Sequence, residues 1–510
     1  MDATPDVVEI VGSAGMPFGM KGLQAAALVG LAFAAACSTM PRERPAPGVL
    51  PAAWRDAPVG AEVQLTDWWR QFNDPSLDRL VAEALANGPT VQIAALRVME
   101  ARAVSHSTLT RYLPELNAVG RGSYTRAIEG PITSIPGAPG AGDPEQMTGS
   151  YGAEVSWEIP LFARIEAAHV GGRANTAIAF ADLRAARVAL VADVAQAYVD
   201  YRAARESHAA LAEQVAVADQ LAGILETSAN AGIAAPADAA DARRLAESAR
   251  TRLPGLVIEA RRAENVLAVL RGVAPGAEDQ ATAAALAADA NVPVLPLDAA
   301  PAAPADLVRL RPDVVRAEAQ ALLAAANLAD ARANLLPRLN LTGAITVTDN
   351  IIGSSLPAPI TQASASPLIS IPLFDWGARL ADIRADRSRF EQALIQYRQT
   401  VIAAVGEASN ALTALEQGRQ RLASARRAEE AAEATARGSR AAYEAGIQSL
   451  ADRLRSEQQL IDARLARIDA ERTQASAAIA TYRAFGGGPA IGDDMAAAAN
   501  LPRANDSGAP

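Results

Sequence analysis

The chain has 510 residues, half of them hydrophobic, yet only eight Tyr, eight Phe and five Trp, so alanine carries most of the apolar content. Three histidines and one cysteine leave no material for a zinc or iron centre built from such ligands and none for an internal disulfide, which speaks against metal and redox enzymes. Forty-seven basic against 57 acidic residues give a net charge of −10 with no basic block, so nucleic acid is excluded as a partner.

In chain order, Lys21 is followed by the apolar run Gly22 to Ala36, too short to span a bilayer as a helix but suited to a signal-peptide core. The run ends in Ala34-Ala35-Ala36-Cys37-Ser38, which resembles a bacterial lipoprotein cleavage site with Cys37 as the acylated residue. No basic residue precedes Met20-Lys21, so Met20 is the expected translation start and residues 1–36 the signal peptide. Ser38 stands where an inner-membrane lipoprotein usually has Asp, and outer-membrane sorting follows. The Pro-rich stretch 37–64 reads as an extended tether from the lipid.

The remaining chain is written twice. Leu113-Pro114-Glu115-Leu116-Asn117 is answered by Leu336-Pro337-Arg338-Leu339-Asn340. Ile159-Pro160-Leu161-Phe162 returns as Ile371-Pro372-Leu373-Phe374, and Ala231-Gly232-Ile233 as Ala445-Gly446-Ile447. The order is the same both times, so each half is expected to form the same supersecondary unit, over 65–271 and 307–485. Between them, 272–306 reads as a low-complexity crossover, and 486–510 as a disordered tail.

Each half contains stretches of period two. Tyr151, Ala153, Val155, Trp157, Ile159 and Leu161 alternate with Gly152, Glu154, Ser156 and Glu158, a strand with one apolar and one polar face. The expected strands are 115–125 and 147–161 in the first half and 339–348 and 362–373 in the second. The Gly-, Pro- and Ser-rich connections make one long-looped hairpin per half.

The rest is helical. The proline-free stretches 163–231 and 376–445 would each be roughly 100 Å long at 1.5 Å per residue. In the first, Leu190, Val194, Ala197, Tyr201, Ala204, His208, Leu211, Val215, Ala218, Ala222 and Leu225 step by threes and fours like a coiled-coil seam. Shorter helices are expected over about 76–111, 233–271, 312–335 and 447–484, with two short helices laid end to end beside each long one. Gly232 and Gly446 suit the turns that reverse the chain.

Four strands cannot close a barrel, and an open edge in lipid would leave backbone groups unsatisfied at several kcal/mol each. Membrane barrels begin at about eight strands, so copies of the chain must complete the ring, and three would give twelve. Alternation alone does not name the solvent on the apolar face, so a soluble ribbon packed on the helices is the competing reading.

Trp68-Trp69-Arg70-Gln71-Phe72 with Asp74-Pro75, Arg311-Pro312-Asp313, and the three pairs of repeated strings together resemble the TolC-like outer-membrane factors, and most of all the NodT-type lipoprotein branch of resistance-nodulation-division (RND) efflux systems. The resemblance covers about Trp54 to Phe485. It implies a mainly α protein with a small β part: a homotrimer with a twelve-stranded barrel in the outer membrane of a Gram-negative bacterium and a long periplasmic α-helical barrel. It also implies a periplasmic membrane-fusion adaptor and an inner-membrane RND pump as partners, and maps adaptor docking onto Ala231, Gly232, Ile233, Ala445, Gly446 and Ile447.

Asp238 and Asp452 follow the two glycines at the same spacing, and Asp241 lies beside the first. In a trimer they would gather carboxylates near the periplasmic mouth, with Arg453 and Arg455 available to pair with Asp452. The sequence therefore points to a passive exit duct for small toxic compounds, without a cofactor and without a nucleophile–base pair, phosphate loop or metal cluster of an enzyme. Protein secretion through the same architecture and a structural spacer lipoprotein are the alternatives.

Overall fold

The computed structural model describes residues 40–41, 45–51, 53–54, 65–126, 128, 145–162, 164–277, 280–287, 291–293, 311–352 and 358–488. Cys37, the signal peptide and most of the tether and tail lie outside the described residues. The elements in order are a 3-10 turn Trp68–Phe72, α1 Pro75–Asn87, α2 Pro89–Thr110, β1 Glu115–Arg126, β2 Glu145–Ile159 and α3 Arg164–Asn230. There follow α4 Pro236–Arg250, α5 Leu253–Leu270, α6 Gln280–Ala287, α7 Pro312–Ala333, β3 Arg338–Ile352, β4 Ile360–Ser370, α8 Ala378–Glu444 and α9 Leu450–Ala484. Two compact units result, a sheet unit (106–171 and 324–390) and a helical unit (44–105, 172–323 and 391–510).

The long helices α3 and α8 have 67 residues each, the same length in both halves. No described helix is long and apolar enough to cross a membrane. Two of the expected short helices are broken. The stretch expected over 76–111 is interrupted at Gly88-Pro89, and that over 233–271 at Thr251-Arg252. A proline donates no N–H and crowds the carbonyl four residues back, so Pro89 and Pro254 are tolerated only in a first turn, and each begins a new helix.

Within the helical unit, short helices do lie end to end along the long one. The α5 C-terminus reaches the α1–α2 break so closely that a Cβ on Gly272 would stand 2.9 Å from the Asn87 carbonyl oxygen. In the second half, Arg311 ahead of α7 donates to the Ala484 carbonyl at the end of α9, at 2.8 Å. The predicted α3 seam is buried at Leu190, Val194, Ala197, Tyr201, Ala204, Leu211, Val215 and Ala222, and partly covered at His208, Ala218 and Leu225. Small residues in that seam let neighbouring backbones approach, which explains how an alanine-rich, aromatic-poor chain packs at all.

The crossover and tether carry more structure than their composition announces. Within 272–306, α6 buries Leu286, whose carbonyl accepts from the Tyr201 hydroxyl at 3.0 Å. In the tether, Trp54 meets Phe485 edge to face at 5.5 Å, and Leu50 packs on the same cluster. Of the tail, Gly488 forms a parallel bridge to Thr66.

The sheet unit is a four-stranded antiparallel meander ordered β1-β2-β3-β4. Its central pairing joins the two halves, with Ile159 opposite Leu339 and Tyr151 opposite Val347. β2 ends at Ile159 rather than at Leu161, and β4 at Ser370 rather than at Leu373. Pro160 and Pro372 come directly after or one residue beyond those ends, and neither can donate to a ladder. β3 runs on to Ile352, past the expected 348.

Candidate functional site

The first functional feature is the sheet itself. The register sets Tyr151 opposite Gly120 and Val347, Ala153 opposite Ala118 and Ile345, and Val155 opposite Leu116 and Gly343. On β4, Ile369 lies opposite Leu339 and Ala363 opposite Ile345. Because side chains alternate between faces, one face is predominantly apolar across all four strands, with Asp349 and Thr361 toward its far end. The other face presents Asn117, Arg121 and Ser123 on β1; Ser150, Glu154 and Ser156 on β2; Asn340, Thr342 and Thr346 on β3; and Gln362, Ser364 and Ser366 on β4. Arg121 and Glu154 pair on this polar face at 3.1 Å, so their charges offset each other.

The apolar face is open in the protomer, with Leu116, Tyr124, Tyr151, Ile345 and Ile369 all exposed. Among the described residues β1 and β4 each have only one neighbour, which leaves two unpaired ladders. Of the aromatic residues on the strands and at their ends, Tyr124, Tyr151, Phe374 and Trp376 are exposed. Trp157 and Phe162 are partly covered, and the Trp157 indole donates to the Tyr112 carbonyl at 2.9 Å.

The second feature is the pair of turns, which are built alike. At the first, Gly232 has φ 73°, the Ile233 N–H returns to the Ser228 carbonyl at 2.8 Å, and the Gly232 N–H to Ala229 at 3.0 Å. At the second, Gly446 has φ 72°, with Ile447 bonded to Ala442 at 2.8 Å and Gly446 to Tyr443 at 2.9 Å. These are Schellman closures, in which a left-handed residue lets two N–H groups satisfy the last helical carbonyls. A Cβ at either glycine would meet nothing within 4 Å, so backbone conformation alone demands glycine. Ile233 and Ile447 are 83% and 80% exposed.

The predicted gate residues fall into unequal surroundings. Asp452 caps α9 together with Ser449: the Asp452 N–H donates to Ser449 Oγ at 3.2 Å, and the hydroxyl donates back to the carboxylate at 2.6 Å. Arg455 adds a contact at 3.1 Å. The Ser449 hydrogen bond, followed by the Arg455 charge, holds the Asp452 carboxyl below its ordinary pKa. Arg453 instead lies over the Tyr443 ring, 5.3 Å from its centre. In the first half Ala235 occupies the cap position and offers no side-chain bond, so Asp238 is an exposed acid in an otherwise uncapped first turn. Asp241 pairs with Arg244 at 3.4 Å, both exposed.

The Trp-Trp-x-x-Phe-x-Asp-Pro string is a structural knot in the helical unit. Trp68 is fully buried and stacked on Tyr482, with ring centres 4.8 Å apart. The Tyr482 hydroxyl donates to Gln71 at 3.0 Å, and burial pushes that phenol up to about 12. Asp74 caps α1 through Ser76 N–H at 2.9 Å and accepts from the Tyr198 hydroxyl at 2.6 Å. Arg202 donates to the same phenol at 2.6 and 2.9 Å. Burial, then the bond to Asp74, raises the Tyr198 phenol.

Ion pairs that sequence reasoning missed join α9 to α3 and α8. Arg467 contacts Glu206 at 2.8 Å and Glu429 at 2.7 Å, and also touches Glu471. Near the second turn, Arg440 holds the buried Glu457 at 2.5 Å. Except for Glu471, four residues on from Arg467, these partners lie on different helices, so no local spacing marks them.

An amphipathic sheet with unpaired edges, borne by a chain of long paired helices, defines a channel-forming outer-membrane protein. The family model described as outer membrane efflux protein matches residues 80–273 and 304–487, and the chain belongs to that family. It is 28% identical over 479 residues to the outer membrane protein OprJ of Pseudomonas aeruginosa, covering 92% of this chain and 96% of that one. It is 25% identical over 429 residues to nodulation protein T of Rhizobium leguminosarum bv. trifolii, covering 83% and 88%. Among solved structures, the outer-membrane channel OprN matches with a TM-score of 0.75 at 26% identity, over 89% of this chain and 99% of that one. The chain is thus an outer-membrane efflux channel protein of the TolC-like kind.

Proposed function

We propose that this chain is one protomer of a homotrimeric, passive exit duct in a tripartite system that expels small toxic compounds. What supports this reading above all is the sheet with one predominantly apolar face and two open edges, which three copies would close into twelve strands around water. The chain makes and breaks no bond; energy comes from an inner-membrane RND pump, reached through a periplasmic adaptor. Residues 1–36 serve as signal peptide, and Cys37 carries the lipid that anchors the tether in the outer membrane.

The adaptor docks on the two turns, Ala231-Gly232-Ile233 and Ala445-Gly446-Ile447. Each turn offers a rigid backbone closure and one exposed isoleucine, a small apolar knob suited to a pocket on a partner. Asp238 and Asp241 on one side, and Asp452 with Arg453 and Arg455 on the other, set the charge at the periplasmic mouth. Asp452 is committed to its helix cap, so Asp238 is the better candidate for binding cations there.

Purified protein in planar bilayers should give discrete conductance steps, and a spacer lipoprotein would give none. Deleting the gene should raise drug susceptibility while leaving secreted proteins at their normal level. Loss of a secreted protein with unchanged susceptibility would replace efflux by protein export.

A further inference from the structure

Along the helical unit, charge stops joining the two halves before the glycine turns are reached. Arg464 of α9 meets Glu213 of α3 at 2.8 Å. Closer to the turns, no ion pair or side-chain hydrogen bond joins α3 or α4 to α9 among the described residues. A cavity of about 90 Å³ lies there instead, bounded by all three helices.

The polar groups of its lining are unmatched. Gln214 of α3 has a buried Oε1 that accepts no hydrogen bond. Glu457 of α9 is 8% exposed, and both bonds from Arg440, at 3.2 and 2.5 Å, go to its Oε1, so Oε2 has no donor among the described residues. Arg252, in the break between α4 and α5, is exposed and makes no ion pair or side-chain hydrogen bond among the described residues. The remaining wall is mostly apolar, with Leu245, Leu454 and Ile461.

A cavity of this size has room for roughly six waters, each wanting about two to four polar partners, and three polar side chains on a largely apolar wall serve few of them. A single solute with donors at one end, an apolar middle and an anionic far end matches the whole lining. We propose that the cavity binds a small zwitterion. Its primary ammonium donates to Gln214 Oε1 and Glu457 Oε2, its short aliphatic chain lies against Leu245, Leu454 and Ile461, and its carboxylate pairs with the Arg252 guanidinium at the mouth. The ligand ties α3 and α4 to α9 beyond the last ion pair that the chain itself provides. The site is set apart from the glycine turns and from Asp238, Asp241 and Asp452, and it does not depend on the channel reading.

The test is titration of the detergent-solubilised full chain with β-alanine, γ-aminobutyrate and δ-aminovalerate, with butylamine and butyrate as controls, read by saturation-transfer NMR and by melting temperature. At least one of the amino acids should bind and raise the melting temperature with its concentration. Butylamine should bind more weakly, and butyrate should not bind. Glu457→Gln should weaken binding about tenfold or more. Gln214→Leu removes no hydrogen bond of the free protein, so it should leave the unliganded melting temperature unchanged or raised while abolishing the ligand-dependent rise. Arg252→Ala, at an exposed position, should bring the best amino acid down to the affinity of butylamine. Binding by none of the amino acids, with water alone in the cavity, overturns the inference. So does butyrate binding as tightly as they do, a ligand-dependent rise that survives Gln214→Leu, or an amino-acid preference that survives Arg252→Ala. None of these outcomes bears on conductance, so the channel reading stands or falls separately.

Discussion

Around Trp68 the helical unit is held by burial: Trp68, Leu77, Tyr198, Leu267 and Tyr482 belong to one continuous cluster. Toward the first glycine turn the cluster shrinks to Leu211, Val215 and Ala249, beyond which Leu221 and the small Ala222, Ala242 and Ala246 are buried beside exposed ion pairs such as Arg243 to Glu226 at 3.0 Å and Arg250 to Asp219 at 2.6 Å. The same alanine-rich helices thus pass from a region of large interlocked side chains to one of small buried residues and exposed surface charge. Burial is insensitive to salt, whereas exposed pairs are worth little and are screened.

The sharpest way to break this comparison is to attack the packed region. Trp68→Ala should cost about 3–5 kcal/mol, read as a large fall in the melting temperature of detergent-solubilised protein; a small fall would deny that this cluster is the anchor. Tyr198→Phe removes the hydroxyl shared by the half-buried Asp74 and the buried Arg202 and takes one hydrogen bond from each, at about 1–3 kcal/mol in the same measurement.

At the turns the effects are smaller and should be equal between halves. Gly232→Ala and Gly446→Ala each force a side chain into left-handed φ with open space around it, costing about 1–2 kcal/mol. Local hydrogen exchange at the two turns should rise by similar factors, and unequal factors would break the equivalence drawn from their geometry. The caps should then separate the halves again. Ser449→Ala should destabilise the first turn of α9 by about 1 kcal/mol, whereas Ala235→Ser should stabilise α4.

The smallest effect is with pH. The folded pKa of Asp452 is depressed, so its capping contribution is fully present above about pH 4 and fades as pH falls through the lowered value. Exchange at the second turn should therefore rise on acidification in the native chain and lose that acid-dependent component in Asp452→Asn.

Much of this architecture was legible because it is periodic. Alternation in 151–159 named a strand and its two faces, steps of three and four named the α3 seam, and the paired strings named the repeat. The glycines of the two turns could be read because positive φ restricts residue choice so strongly. Helix breaks at Gly88-Pro89 and Thr251-Arg252 were missed although Pro89 and Pro254 stood in view, since periodicity continued across them. At the candidate site, Asp238 and Asp452 were found by spacing, but their unequal environments depend on Ser449 and Ala235, whose roles appear only once the helix starts are known.

By itself the sequence determined the repeat, the element types, the amphipathic strands and the reversing turns, because each is governed by residues within a few positions of one another. Only the tertiary structure decided that β2 pairs with β3 across the two halves, that Arg467 gathers Glu206 and Glu429, and that Phe162 is partly covered while its copy Phe374 is exposed. Those outcomes depend on which distant surfaces meet, and in two halves written alike the local code is the same on both sides of the choice.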